Sequence, residues 1–193
     1  VTSSHSTNKG IATGSGIVAV KVLNDNGYGY DSDILAGLNW IYSNRNTYNI
    51  RVVNMSLGTS VRYNTACDAA NPGYKNIASQ LNNAGVYIIA ASGNDGYRTG
   101  IGSPACVSNI ISVGSVTSSD SVSGFSNVGA LLDVFAPGSS ICSSIPTNRY
   151  ACYSGTSMAS PMVAGVVALM LDADPTMTFT EVRNKLTTTG PVI

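Results

Sequence analysis

A proline set just ahead of a long apolar run limits this chain more than any other feature. Pro161 is followed by Met162, Val163, Val166, Val167, Leu169, Met170 and Leu171, with Ala164, Gly165 and Ala168 between them. Side chains apolar nearly all round describe a buried helix, and a run of that length falls short of the roughly 20 residues that cross a bilayer. Proline fits the first turn of a helix, where its missing N–H loses no bond. The helix should therefore begin near Ser157 in Ser154-Gly155-Thr156-Ser157-Met158-Ala159-Ser160-Pro161. The Ser157 hydroxyl then lies at the positive end of the helix dipole, and Gly155 lets other groups come close. A serine there either caps the helix or acts as a nucleophile, and the motif alone leaves both open.

The rest of the chain alternates in period. Residues 17–23 are β-branched and predict a buried strand, followed by a turn at Asn24-Asp25-Asn26-Gly27. Ile34, Leu35, Leu38, Ile41 and Tyr42 recur at helical spacing, with Asp31 or Ser32 placed to cap. Residues 50–55 predict a second strand. Ile77, Leu81 and Ala84 mark a helix after Pro72-Gly73, ended by Gly85, and residues 86–91 a third strand. Short strands at 110–113 and 132–135 precede a hairpin over 141–153. Asp174-Pro175 stops the apolar helix, and Thr178 with Glu181 predicts a capping box for a last helix through Leu186. This order predicts an α/β fold, a doubly wound, mostly parallel sheet with helices on both faces, in one domain over residues 1–193.

Composition narrows the partners. Formal net charge is zero and charged residues are 10% of the chain, which argues against nucleic acid or an anionic membrane surface. Low charge, many small polar residues and four cysteines suit a secreted protein. Val1-Thr2-Ser3-Ser4 has neither the basic start nor the apolar stretch of a leader, so a trimmed precursor or a fragment is expected. Cys142 and Cys152 flank Pro146-Thr147-Asn148-Arg149 and can face each other across the hairpin, which leaves Cys67 with Cys106 in loops either side of the third strand. Four cysteines allow three connectivities, and these two pairs are the expectation. Zinc is not expected, because no Cys-x-x-Cys occurs and the sole histidine, His5, is remote.

In open α/β sheets, sites form beyond the carboxyl ends of the strands. Three such ends carry glycine: Gly27-Tyr28-Gly29, Ser56-Leu57-Gly58 after Asn54-Met55, and Ala91-Ser92-Gly93-Asn94. Together they could make a groove with bare main chain on its walls, able to pair with an extended peptide; each alone reads as an ordinary turn. Asn94 can donate to an oxyanion without burying a charge, or simply form an Asx turn.

Gly155-Thr156-Ser157-Met158-Ala159-Ser160-Pro161 with Val163-Ala164-Gly165, Ala91-Ser92-Gly93-Asn94 and Asn54-Met55-Ser56-Leu57-Gly58 resembles the subtilisin-like serine proteases, the subtilases. The likeness runs through Val20-Lys21-Val22-Leu23, Phe125-Ser126-Asn127 and Asp133-Val134-Phe135-Ala136-Pro137-Gly138 in the same order. The resemblance implies a subtilisin-like three-layer fold and a serine endopeptidase. Ser157 is then the nucleophile, and Asn94 with the Ser157 N–H forms the oxyanion hole. Ser56-Leu57-Gly58 and Gly27-Tyr28-Gly29 flank an extended polypeptide substrate, and Ala91-Ser92-Gly93 forms the other wall of the primary specificity pocket. It implies no cofactor for catalysis and a monomer, with structural calcium possible and its ligands unknown.

The departures are as informative. The family orders its triad Asp, His, Ser, and neither its His-Gly-Thr-His-Val-Ala-Gly stretch nor its aspartate motif occurs here. His5 lacks the neighbours that would aim it at Ser157 and reads as a loop histidine; Asp31 and Asp33 read as helix-start residues. Met162 stands where the family usually has histidine. The chain therefore resembles the carboxyl-terminal portion of the catalytic domain, truncated at its N-terminus, and by itself is expected to be inactive and poorly folded, with a bare sheet edge. A Gly-x-Ser-x-Gly hydrolase is the poorer reading, since no histidine follows Ser157. A non-catalytic peptide-binding or structural domain of the same fold is the alternative.

Overall fold

Four short apolar segments hydrogen-bond side by side in a computed structural model of the chain, which describes residues 9–147 and 149–190. They are β1 (Val52–Met55), β2 (Tyr87–Ala91), β3 (Ile111–Val116) and β4 (Val134–Pro137), all parallel and in that spatial order. The two inner strands are buried at every position; β2 accordingly reads as one continuous apolar run, whereas β3 includes Ser112 and Ser115, whose buried hydroxyls are hydrogen-bonded.

The two-residue period of a strand sorts side chains to two cores. Ile88 and Ala90 face one core with Ile34, Leu38 and Ile41 of α1 (Asp31–Asn44) and Tyr74, Ile77 and Leu81 of α2 (Pro72–Asn83). Tyr87 and Ile89 face the other, against α3 (Thr156–Ala173) and α4 (Phe179–Thr189). The result is the helix–sheet–helix sandwich expected from the sequence. α3 touches all four strands and buries Ala159, Val163, Val167 and Leu171; each large aliphatic side chain so buried is worth about 1.5–3 kcal/mol. Eighteen residues make α3 long and apolar enough to cross a membrane by length and composition, but it is seated on the sheet as a core helix.

Local signals settle the helix ends. Pro72 opens α2, and Gly85 closes it at φ +73°, a region glycine enters without cost. The capping box of α4 is present: the Thr178 hydroxyl accepts from the Glu181 N–H at 3.3 Å, and the Glu181 carboxylate accepts from the Thr178 N–H at 2.7 Å. The hairpin forms from β5 (Ile141–Ile145) and β6 (Arg149–Tyr153), with Cys142 and Cys152 directly opposite.

Three expectations are corrected. Residues 17–23 form no strand: among the described residues nothing pairs with them, and a β-branched run without a neighbouring ladder stays irregular. Val20 and Val22 pack on the α1–α2 core, but Ile17 is 70% exposed. α1 is not capped by Asp31 or Ser32; Tyr30 holds that position without a side-chain bond. Asp31 instead accepts from the Tyr74 hydroxyl at 2.8 Å, and burial, then this carboxylate, push the Tyr74 hydroxyl well above its ordinary pKa. Finally, Pro161 is the sixth residue of α3 and not part of its first turn.

Candidate active site

The hairpin delivers the chain to the serine. The Ser140 N–H donates to the Ser154 hydroxyl at 2.9 Å and the Gly155 N–H to the Gly138 carbonyl at 2.8 Å. Gly155 is the N-cap, Thr156 the first helical residue and Ser157 the second. Ser157 therefore does not cap its helix. Among the described residues its half-buried hydroxyl approaches only the Ser56 carbonyl, at 3.4 Å, near the limit for a hydrogen bond.

Asn94 lies against the same turn. Its side-chain oxygen accepts from the Thr156 N–H at 2.8 Å and from the Thr156 hydroxyl at 2.9 Å. The buried Thr156 hydroxyl also receives the Gly93 N–H at 3.3 Å. With Oδ1 held twice, Asn94 Nδ2 keeps both its hydrogens free of protein acceptors among the described residues. The first helical turn leaves one more donor: Thr156 gives its N–H to Asn94 and Met158 to Gly155, whereas the Ser157 N–H has no acceptor there. Two donors and one hydroxyl thus meet at the amino end of α3, where the dipole is positive.

The loop carrying Asn94 is shaped by Asn127, which is fully buried. The Asn127 side-chain oxygen accepts from the N–H groups of Asp95 and Tyr97, at 2.9 and 3.0 Å, and its amide donates to Asp95 Oδ2 and the Ser92 carbonyl, at 3.0 and 3.2 Å. Four side-chain bonds satisfy the whole carboxamide, as burial requires.

Ser56-Leu57-Gly58 and Ala91-Ser92-Gly93 are joined through Gly102 and Ser103. The Gly102 N–H donates to the Ser92 carbonyl and the Thr59 N–H to the Ser103 carbonyl, both at 2.9 Å. Ser56 also reaches α3: its hydroxyl donates to the Ser157 carbonyl at 2.9 Å. Two of the three glycine-bearing strand ends therefore gather around Ser157. Gly27-Tyr28-Gly29 is not bonded to them among the described residues. It closes a loop on the Asn24 carboxamide, ahead of α1, beside an open groove of about 790 Å³ lined by Val20, Val22, Leu23, Tyr28 and Trp40. His5 lies outside the described residues.

Both expected disulfides are present. Cys67–Cys106 is buried and Cys142–Cys152 exposed. Among the described residues no three His, Cys, Asp or Glu side chains gather as a metal cluster. Sequence reasoning did not foresee the roles of Thr156, Asn127, Asn54 or Ser160. Asn127 stood within a recognised motif, but polar residues reveal a buried partner only after folding.

A serine at the mouth of a buried helix, beyond the carboxyl edge of a parallel sheet with helices on both faces, defines an α/β domain of the subtilisin type. The pattern of the Subtilase family matches residues 2–191, and the chain belongs to that family, one of serine proteases. It is 39% identical over 184 residues to Subtilisin DY of Bacillus licheniformis, covering 94% of this chain and 63% of that protein. To Subtilisin NAT of Bacillus subtilis subsp. natto it is 40% identical, covering 94% of this chain and 45% of that one. The crystal structure of a cold adapted subtilisin-like serine proteinase superposes with a TM-score of 0.79 at 37% identity, covering 92% of this chain and 61% of the other. The chain thus spans less than two thirds of the length of these relatives.

Proposed function

We propose that the protein is a serine endopeptidase that hydrolyses peptide bonds through an acyl-enzyme on Ser157. The observation that carries this reading is that Thr156 holds Asn94 Oδ1 twice at the amino end of α3, while among the described residues neither Asn94 Nδ2 nor the Ser157 N–H has an acceptor. Ser157 Oγ attacks the scissile carbonyl carbon and yields its proton to a base. The oxygen, now anionic, is received by Asn94 Nδ2 and the Ser157 N–H. Collapse expels the amine, which takes up a proton, and water then releases the acid from the ester. The family's catalysis requires no cofactor.

The base is, by resemblance, a histidine supplied by a part of the family domain outside these 193 residues, so this chain alone does not turn substrate over. Its substrate is a polypeptide held extended between Ser56-Leu57-Gly58 and Gly27-Tyr28-Gly29, with Ala91-Ser92-Gly93 walling the side-chain pocket. The protein acts outside the cell as a monomer, without nucleic acid or membrane. The experiment is to assay peptide cleavage by this chain with and without a separately expressed upstream portion of a subtilase domain carrying the Asp and His motifs. Cleavage that needs both pieces, and that Ser157→Ala abolishes, supports the reading. Cleavage that survives Ser157→Ala ends it.

A further inference from the structure

Pro161 creates a gap in α3 that falls on the nucleophile. An α-helix bonds each N–H to the carbonyl four residues earlier, so the N–H that proline lacks is the one owed to the Ser157 carbonyl. The Ser56 hydroxyl donates to that carbonyl at 2.9 Å from the end of β1. Its proton is directed there by its neighbours: Asn54 Nδ2 donates to Ser56 Oγ at 2.9 Å, and the Ser160 hydroxyl donates to Asn54 Oδ1 at 2.9 Å. Ser56 Oγ and Ser160 Oγ are 3.1 Å apart, with the proton of each already assigned elsewhere.

We infer that Ser56 is a positioning residue for Ser157, its hydroxyl replacing the helix hydrogen bond that Pro161 deletes and so fixing the turn that carries the nucleophile. The inference rests on reading Ser157 as that nucleophile. It explains how a proline is tolerated within α3 and why the serine of Ser56-Leu57-Gly58 does more than border a groove: one hydroxyl ties the strand end that flanks substrate to the helix that holds the reacting oxygen.

The sequence offers a direct probe, because Ser157-Met158 is its only Ser-Met pair. Labelling serine carbonyls with ¹³C and methionine amides with ¹⁵N gives one cross-peak, which reports the Ser157 carbonyl alone. Loss of its hydrogen bond moves that carbonyl upfield. The expected result is an upfield shift in Ser56→Ala, none in Ser56→Thr, and none in Ser56→Ala combined with Pro161→Ala, where the restored N–H takes the carbonyl. With the upstream portion that carries the Asp and His motifs supplied, phosphonylation of Ser157 by a fluorophosphonate should slow about fivefold in Ser56→Ala, the size of one ordinary hydrogen bond, and recover in the other two. An unmoved carbonyl in Ser56→Ala, an equal shift in the Pro161→Ala background, or a shifted carbonyl with unchanged phosphonylation overturns the inference. Phosphonylation absent from every variant, including the parent, even with that upstream portion supplied, counts against the nucleophile reading instead, and the carbonyl shifts then decide whether the hydroxyl fills the helix gap. Should Ser56→Ala fail to fold, Pro161→Ala alone serves: the carbonyl bond then survives Asn54→Ala, which otherwise weakens it.

Discussion

A β-carbon on Gly93 would run into the carboxamide nitrogen of Asn127, and that carboxamide holds the chain on both sides of Gly93. Gly93 sits at φ +108°, strained for any residue with a side chain. The two residues fit only as a pair: removing the glycine displaces the clamp, and removing the clamp frees the loop that carries Asn94. Asn127→Ala should therefore cost about 2–4 kcal/mol, from polar groups left buried without partners, read by chemical denaturation. The amides of Asp95 and Tyr97 should lose protection from hydrogen exchange, and equal protection in the variant would refute the clamp.

Thr156 should separate by chemistry rather than shape. Thr156→Val keeps the volume but loses the hydroxyl shared by Asn94 Oδ1 and the Gly93 N–H, and is expected to cost about 1–2 kcal/mol. Thr156→Ser, which keeps the hydroxyl, should unfold at nearly the parent denaturant concentration. In an active, base-supplied form, Thr156→Val should lower kcat more than it raises KM, because a mobile Asn94 meets the oxyanion less often.

Arg183 ties α4 to β4. Its guanidinium reaches Asp133 Oδ1 at 2.5 and 2.6 Å, and the other carboxylate oxygen accepts from the Ser112 N–H and hydroxyl at 2.8 and 3.0 Å. The Asp133 side chain is 5% exposed, so Arg183→Ala leaves a buried carboxylate with its cation gone. The expected loss is about 2–3 kcal/mol, below the full value for a buried pair because the arginine is partly solvated. Thermal or denaturant unfolding of the variant measures it.

Acid should loosen the link between α2 and the segment before β3. Burial pushes the Asp68 carboxyl up, but the Ser108 N–H and hydroxyl and the Lys75 ammonium outweigh it and hold it below its ordinary value. A depressed folded value means that Asp68 contributes its full stability above the unfolded value, about pH 4, and loses it as pH falls through the folded one. Glu181 and Asp174, held down by hydrogen bonds from Thr178 and Thr176, act in the same direction. Denaturation midpoints should be flat above about pH 5 and fall below about pH 4, with a shallower fall in Asp68→Asn.

The two disulfides should reduce in order. Cys67 and Cys106 are 3% and 2% exposed, whereas Cys142 and Cys152 stand open to solvent, and thiolate attack needs access to sulfur. Timed reduction with a small dithiol followed by alkylation should mark Cys142 and Cys152 first. Simultaneous labelling of all four would contradict the burial of the first pair.

The sequence alone determined those features whose causes are local. Pro72 and Gly85 bound α2, Thr178 with Glu181 caps α4, and the unbroken apolar run of β2 announces a strand buried on both faces. It also announced Ser157, because a small-residue turn before an apolar helix is a continuous pattern. Tertiary structure decided everything that depends on a distant partner. Residues 17–23 carry a strand's composition but lie outside the sheet, since a ladder needs a neighbour and composition cannot supply one. Pro161 looked like a first-turn residue until Ser56, far away in the chain, was seen to fill the bond it deletes. Asn127, Thr156 and Asn54 are ordinary polar residues in the sequence. Only folding brings them beside the groups they satisfy, burying Asn127 and Thr156 and leaving Asn54 exposed, and a hydrogen bond across the sheet leaves no periodic trace along the chain.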